Sequence, residues 1–380
     1  MRMTFISNNW ADAHQQTRLR ALIKSGIKID CLAVSRNYYP VSSESLPAWI
    51  GKMDHASYGK RFRVYIWLLY KLTKNSQSDP LIYVYGFDLA AVALIFKHFS
   101  RRKIFVIYEI PDIREIFFSR GIGPALIRFF EKLTIPKIDL LIATSPEFIS
   151  EYFTKIRKID IPDYQIIENK VHQAQLSETS NPQKCKIPDK IKIGYFGVLR
   201  CAASLSCLIL LADKNRFEII LRGIFMPATS HFEAQISNLE NIKYFGPYKV
   251  PEDLSGIYNE VDIVWAAYPF SNNNIGNHLW ARTNRFYESL FFHKPIILQK
   301  GSADAERAEA LGNIAVTIDL DKIDQVVSHL CSALTYAYLS AVEHSMKRIP
   351  EHQYLITSEY KNLMMCLQRN KLSPEESIPM

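Results

Sequence analysis

No two cysteines in this chain of 380 residues form a C-x-x-C pair. The six stand at Cys31, Cys185, Cys201, Cys207, Cys331 and Cys366 without a histidine cluster beside them, and the step from Cys201 to Cys207 matches no zinc spacing. Zinc modules and disulfide frameworks are therefore set aside, and the thiols read as reduced and mostly buried, as in a cytosolic protein. The N-terminus has no apolar run followed by a small-residue cleavage site, so no signal peptide is read. No window reaches about 18 uncharged apolar residues, so no membrane-spanning helix is expected. G-x-G-x-x-G is also missing from the loop at residues 8–18, a poor dinucleotide site. The net charge of +8 is too modest to indicate nucleic acid. It suits an anionic small molecule or an anionic membrane surface.

What is present is a hydrophobic content of 48% and an aromatic content of 12%, ample for a core and too much chain for one ordinary domain. Short apolar runs alternate with amphipathic stretches. In the first half the runs are 3–7, 27–33, 81–85, 103–108, 140–143 and 165–167, with helical patterns at 12–24, 60–74, 88–99, 124–133 and 146–153. Near-continuous apolar strands alternating with helices indicate a parallel sheet covered on both faces. Residues 171–190 are polar, hold two prolines and lack periodicity, which marks a linker. The alternation then restarts, with strands at 191–196, 218–222, 242–245, 262–266, 295–299 and 314–318 and helices at 251–259, 284–292, 303–311 and 321–339. The expected organisation is an N-terminal domain 1–170, a linker 171–190, a C-terminal domain 191–340 and terminal helices 341–380. Doubly wound sheets bind ligands outside the carboxyl ends of their strands, which gives a cleft but no chemistry.

The most informative segment is RTNRFYESLFFHKPII, residues 282–297. Asn284 can cap a helix and shares a face with Glu288, four residues on. A carboxylate there can accept from the two hydroxyls of a ribose, while Arg285 and the helix amides bind a diphosphate. The plainer alternative is that both are solvated surface charges.

That segment resembles the sugar-nucleotide motif of GT-B glycosyltransferases akin to family four, P-N-K-x-x-E-Y-L-A-x-G-K-P-V-I. The resemblance implies two tandem Rossmann-like, doubly wound parallel-sheet domains with a helical tail, the donor being held by the C-terminal half. Glu288 matches the ribose-binding glutamate and Arg285 stands where the family has lysine. IGYFGVLR at 193–200 resembles the opening of the second domain, Arg200 matching the basic residue that holds the diphosphate. Asn169 falls where the family has its interdomain asparagine. Arg282 and Tyr268 join the expected donor site, the loop beyond Tyr268 being expected to close on the sugar. The similarity spans about residues 4–334. Two departures leave retention or inversion open. Trp280 occupies the position of the second glutamate of many retaining members, and Glu109-Ile110-Pro111-Asp112 replaces the usual N-domain histidine.

An acceptor-side general base is sought in Asp112, then Glu109 and Asp12. His14 lies in the first loop, where a histidine is either catalytic or an ordinary polar residue. Asp319-Leu320-Asp321 reads as a turn cap, so no metal and no cofactor are implied beyond a nucleotide-diphosphate sugar as donor. The expected activity is transfer of that sugar to a glycan or lipid-linked glycan in surface polysaccharide synthesis. A catalytically silent sugar-binding or partner subunit and a sugar-nucleotide epimerase are the alternatives. Residues 59–74 place five basic residues and no acid around an aromatic centre, and residues 97–137 hold nine basic residues against four acids. They indicate a cytoplasmic protein attached peripherally to an anionic inner membrane face, unless the helix simply packs on the sheet.

Overall fold

The computed structural model describes residues 1–35, 47–52, 58–75, 80–101, 103–172, 190–270 and 277–372. The chain divides into two compact units, Met1–Glu168 with Thr357–Met380, and Asn169–Ile356.

The first unit is built on a seven-stranded sheet. Its strands are β1 (Arg2–Ser7), β2 (Lys28–Ser35), β3 (Ala48–Lys52), β4 (Leu81–Tyr85), β5 (Phe105–Ile110), β6 (Leu140–Ala143) and β7 (Tyr164–Ile166). They lie in the order β3-β2-β1-β4-β5-β6-β7, every pair parallel. The central strands β4 and β6 are buried along their whole length, which is why they appear in the sequence as uninterrupted apolar runs. Four helices connect them: α1 (Ala13–Lys24), α2 (Tyr58–Asn75), α3 (Phe87–Phe99) and α4 (Ile122–Thr134), with a π-helical segment at Phe148–Arg157.

The second unit has six parallel strands. These are β8 (Ile191–Leu199), β9 (Phe217–Phe225), β10 (Ile242–Tyr244), β11 (Ile263–Ala266), β12 (Ile296–Gln299) and β13 (Ala315–Ile318), ordered β10-β9-β8-β11-β12-β13. Its helices are α5 (Ala202–Ala212), α6 (His231–Ile236), α7 (Leu254–Asn259), α8 (Asn284–Phe291), α9 (Ala303–Ala310), α10 (Ile323–Ala333) and α11 (Tyr336–Met346). Two apolar clusters flank the sheet, one around Trp265 and Tyr195, the other around Tyr258, Phe286 and Val264. In each unit the strand order reverses beside the first strand, at β1/β4 and at β8/β11. Loops leaving those strand ends form the crevice where doubly wound sheets place their ligands.

The expected terminal block 341–380 is divided by the structure. Val342, Met346, Ile349, Tyr354 and Leu355 belong to the second core, and Val171 bridges Leu355. The last helix, α12 (Glu359–Leu372), returns to the first unit, where Tyr360 accepts a hydrogen bond from Arg18 Nη1 at 2.7 Å. The expected single helix 321–339 is two, since Leu334 turns extended and Thr335 caps α11 by accepting from Tyr338 N. Residues 173–189 of the expected linker and 271–276 of the expected closing loop lie outside the described residues.

Candidate functional site

In the second unit the crevice is built where β8 ends. Gly197 has φ +100, and a Cβ there would stand 2.6 Å from Arg285 Nη1. Without that side chain the Arg285 guanidinium lies against the strand end and donates to the Phe196 carbonyl. Gly223 at the same level of β9 has φ +138, and its Cβ would fall 1.7 Å from the Gly197 carbonyl, so two glycines let β8 and β9 close together.

Arg285 is the second residue of α8, whose N-cap is Thr283. The Thr283 Oγ1 accepts from Phe286 N at 3.3 Å, which leaves the amides of Asn284 and Arg285 without an intrahelical acceptor. Four residues into the helix, Glu288 is nine-tenths buried. Its Oε2 accepts from Tyr258 OH at 2.6 Å, while Oε1 has no partner among the described residues. Burial raises the Glu288 pKa, the Tyr258 hydrogen bond and Arg285 working against that rise.

The Tyr268 ring, after β11, is bracketed by cations: the Arg285 and Arg200 guanidinium carbons lie 5.2 Å and 5.9 Å from its centroid. His278 stacks on the same ring with centroids 4.9 Å apart. Burial pushes the His278 pKa down to about 4, and the charges of Arg200 and Arg285 add to the effect, so the imidazole is neutral at physiological pH. No described carboxylate forms an ion pair with Arg200 or Arg285, and Arg285 Nε is buried without a partner. Two uncompensated guanidinium groups, open helix amides and a half-tethered carboxylate together make a site for a ligand with an anionic centre and a hydroxyl-bearing neighbour.

Two sequence assignments change here. Asn284 is not the cap; it is the exposed first residue of α8, one position inside Thr283. Arg282 is buried, donates through Nη1 to the Ala303 carbonyl, and its own carbonyl accepts from Asn169 Nδ2 at 2.7 Å. It joins α8 to α9. One residue the sequence reading passed over completes that junction. Asp304, fully buried on α9, accepts from Thr283 N at 3.1 Å and Oγ1 at 2.7 Å. Burial lifts its pKa to about 7, against those hydrogen bonds and the nearby Arg282.

In the first unit, β5, β4 and α1 meet at one buried carboxylate. Glu109 has no exposed surface. Its Oε1 accepts from His14 Nε2 at 2.8 Å and Arg18 Nη2 at 2.7 Å; Oε2 accepts from Arg18 Nε at 3.0 Å, Tyr85 OH at 2.5 Å and Tyr83 OH. Burial opposes its ionisation, but Arg18 and then His14 hold the carboxyl well below the usual range. With both oxygens saturated and sealed from solvent, Glu109 is no proton acceptor for a substrate. It orients His14, whose other ring nitrogen has no partner among the described residues. Asp12 caps α1 through Gln15 N at 3.1 Å. Asp112 is exposed on the loop after β5. Asp319 accepts from Asp321 N at 3.2 Å, as a turn cap does. Among the described residues no group of three or more His, Cys, Asp or Glu is placed to hold a metal ion.

Two doubly wound parallel sheets, the second carrying this cationic crevice, define the GT-B fold. Its match to sucrose-phosphate synthase of Thermosynechococcus elongatus has a TM-score of 0.71 at 13% identity, covering 98% of this chain and 99% of that one. Anabaena HepE, solved with UDP and glucose, matches with a TM-score of 0.65 at 14% identity over 98% and 100% of the two chains. In sequence the chain is 26% identical to the succinoglycan biosynthesis protein ExoL of Rhizobium meliloti (strain 1021), over all of this chain and 96% of that one. No family model matches the chain. The resemblance drawn from residues 282–297 is thus borne out at the level of the fold.

Proposed function

We propose that the chain is a glycosyltransferase that moves a sugar from a nucleotide-diphosphate sugar to a glycan or lipid-linked glycan in surface polysaccharide assembly. The observation that carries this reading is Glu288: one oxygen is fixed by Tyr258, the other is open, and Arg285 lies one turn away. The open oxygen accepts from ribose hydroxyls. Arg285, Arg200 and the first amides of α8 receive the diphosphate, and Asn284 and Tyr268 complete the donor side. These cations stabilise the charge that develops on the leaving nucleotide diphosphate without a metal ion. The likeness to ExoL, whose name places it in succinoglycan biosynthesis, supports the polysaccharide context.

On the acceptor side His14 replaces Asp112 as the preferred base. The acceptor hydroxyl loses its proton to the imidazole, its oxygen forms the bond to the sugar's anomeric carbon, and the bond to the diphosphate oxygen breaks. Glu109 stabilises the imidazolium, the role of a buried carboxylate behind a catalytic histidine. Asp112 remains the rival, and Asp112→Asn set beside His14→Gln decides between them by which variant loses transfer while keeping donor affinity. An acceptor borne on lipid, and peripheral attachment to an anionic inner leaflet, are the finer parts of the same reading.

A calorimetric screen of UDP-, GDP-, ADP- and CMP-sugars, followed by nucleotide release with acceptor, tests the proposal. Glu288→Ala is expected to weaken donor binding by about tenfold to a hundredfold, the cost of one lost charged hydrogen bond. Parent-like affinity in that variant removes the donor site from α8. Transfer that vanishes in EDTA and returns with magnesium overturns the metal-independent part alone. Tight donor binding with no transfer to any acceptor leaves a silent subunit, the alternative that Trp280 supports.

A further inference from the structure

Helix α4 is built inside out for a soluble protein. Its large apolar residues, Ile122, Leu126, Phe129, Phe130 and Leu133, recur at helical spacing and face away from the unit, Ile122 being 83% exposed. Its one fully buried side chain is a carboxylate: Glu131 accepts from Tyr152 OH at 2.7 Å and Arg157 Nε at 2.6 Å. An outward apolar stripe over a buried ion pair is the reverse of the usual helix and marks a surface that something covers.

The same layer continues the pattern. α2 packs on α3 and α3 on α4. α3 ends in Phe99, 80% exposed, and α2 turns Phe62, Ile66 and Trp67 outward. Charge on these helices is sorted by sign. α2 has no acid; the acid of α3, Asp88, is held by Arg61 and Tyr65; the acid of α4 is the buried Glu131. Meanwhile Arg63, Lys74, Arg120 and Lys132 are exposed on or beside the same helices. Aromatic and aliphatic side chains ringed by cations, with every acid turned in, complement an anionic lipid interface.

We propose that α4 is the principal membrane-entering element of this protein, lying in the plane of an anionic bilayer surface with α2 and α3 beside it. This rests on the peripheral attachment in the proposed function and names the surface responsible. Sequence basicity pointed to α2 and to residues 97–137 as a whole, without singling out α4. The structure moves the anchor to α4, because part of α2 is packed inward through Val64, Leu68 and Leu72 while no apolar residue of α4 itself is fully buried.

The test uses the full chain with vesicles of phosphatidylcholine, alone or mixed with phosphatidylglycerol. The parent is expected to sediment with the mixed vesicles only. Phe129→Ser with Phe130→Ser should lower that partition by at least about tenfold and leave donor affinity in the other unit unchanged. Phe129→Trp should show a blue-shifted emission on vesicle addition, shielded from an aqueous quencher. If the double variant binds mixed vesicles as the parent does, the α4 assignment falls while membrane attachment stands. If the parent binds neither vesicle, both fall. If the parent is a dimer that the double variant converts to a monomer, with no vesicle binding, the stripe is covered by a second copy and the proposal is overturned.

Discussion

His278 is neutral in the free protein because burial and two guanidinium groups disfavour its charge. A diphosphate placed between Arg200 and Arg285 reverses the local field and raises the pKa of the imidazole from its free value of about 4. Binding then takes up a proton, so donor affinity increases as pH falls through the raised pKa in the complex and levels off below about 4. His278→Phe keeps a ring on Tyr268 and removes the titration. Titration calorimetry between about pH 5 and pH 8 should show parent affinity climbing toward acid relative to the variant, by up to about tenfold per unit. Identical pH profiles for the two proteins would place the diphosphate elsewhere. At this scale the sequence is informative only where partners are close along the chain. Arg285 and Glu288 were readable from helical spacing. The partners of Glu109 were not, since Arg18, Tyr83 and His14 stand 91, 26 and 95 residues away in sequence. Spacing does not say which way a side chain turns, so it does not show that Arg282 points into the α8–α9 junction, and Thr283, equally able to cap, stands one residue before Asn284.

Elements were legible in proportion to how fully they are buried. β4, β6, β11 and β12, enclosed on both faces, read as apolar runs close to their observed limits. β3, an edge strand with two exposed ends, carried no such run. α5 was missed for the opposite reason: Ala202–Ala212 is apolar nearly all round and showed no helical period. The junction of α8 and α9 has a consequence for stability. Asp304 ties the α8 cap to α9 through Oδ2, and its Oδ1 is buried with no partner. Its pKa is raised to about 7 from an ordinary 3.8, so the protonated form is the one folding favours. The stabilisation is complete below about pH 3.8 and is lost as pH rises through about 7. Urea unfolding should find the parent losing about 3 kcal/mol between about pH 5 and pH 8 relative to Asp304→Asn, which keeps an acceptor for Thr283 and cannot ionise. Parallel stability curves would show that Asp304 titrates normally.

For the whole molecule, the instructive feature is that the chain order and the unit order differ. The sequence reading grouped 341–380 as one or two terminal helices; Pro350 marks a break between α11 and α12, but nothing local says which unit each helix joins. The division follows instead from long-range partners, Leu355 beside Val171 in the second unit and Tyr360 on Arg18 in the first. A mutation at residue 363 should therefore destabilise the N-terminal unit, not the C-terminal unit beside which it stands in sequence. Leu363 is fully buried on α12. Leu363→Ala is expected to cost about 2–5 kcal/mol. Scanning calorimetry with and without donor separates the outcomes. A nucleotide sugar at about 100 times its dissociation constant adds about 2.7 kcal/mol to the unit that binds it. That ligand marks the transition of the unit carrying Glu288. The substitution should lower the other transition and leave the donor-sensitive one, and donor affinity itself, in place. A shift confined to the donor-sensitive transition would assign α12 to the second unit. It would also sever the link by which Tyr360 holds Arg18 against Glu109, and with it the support behind His14.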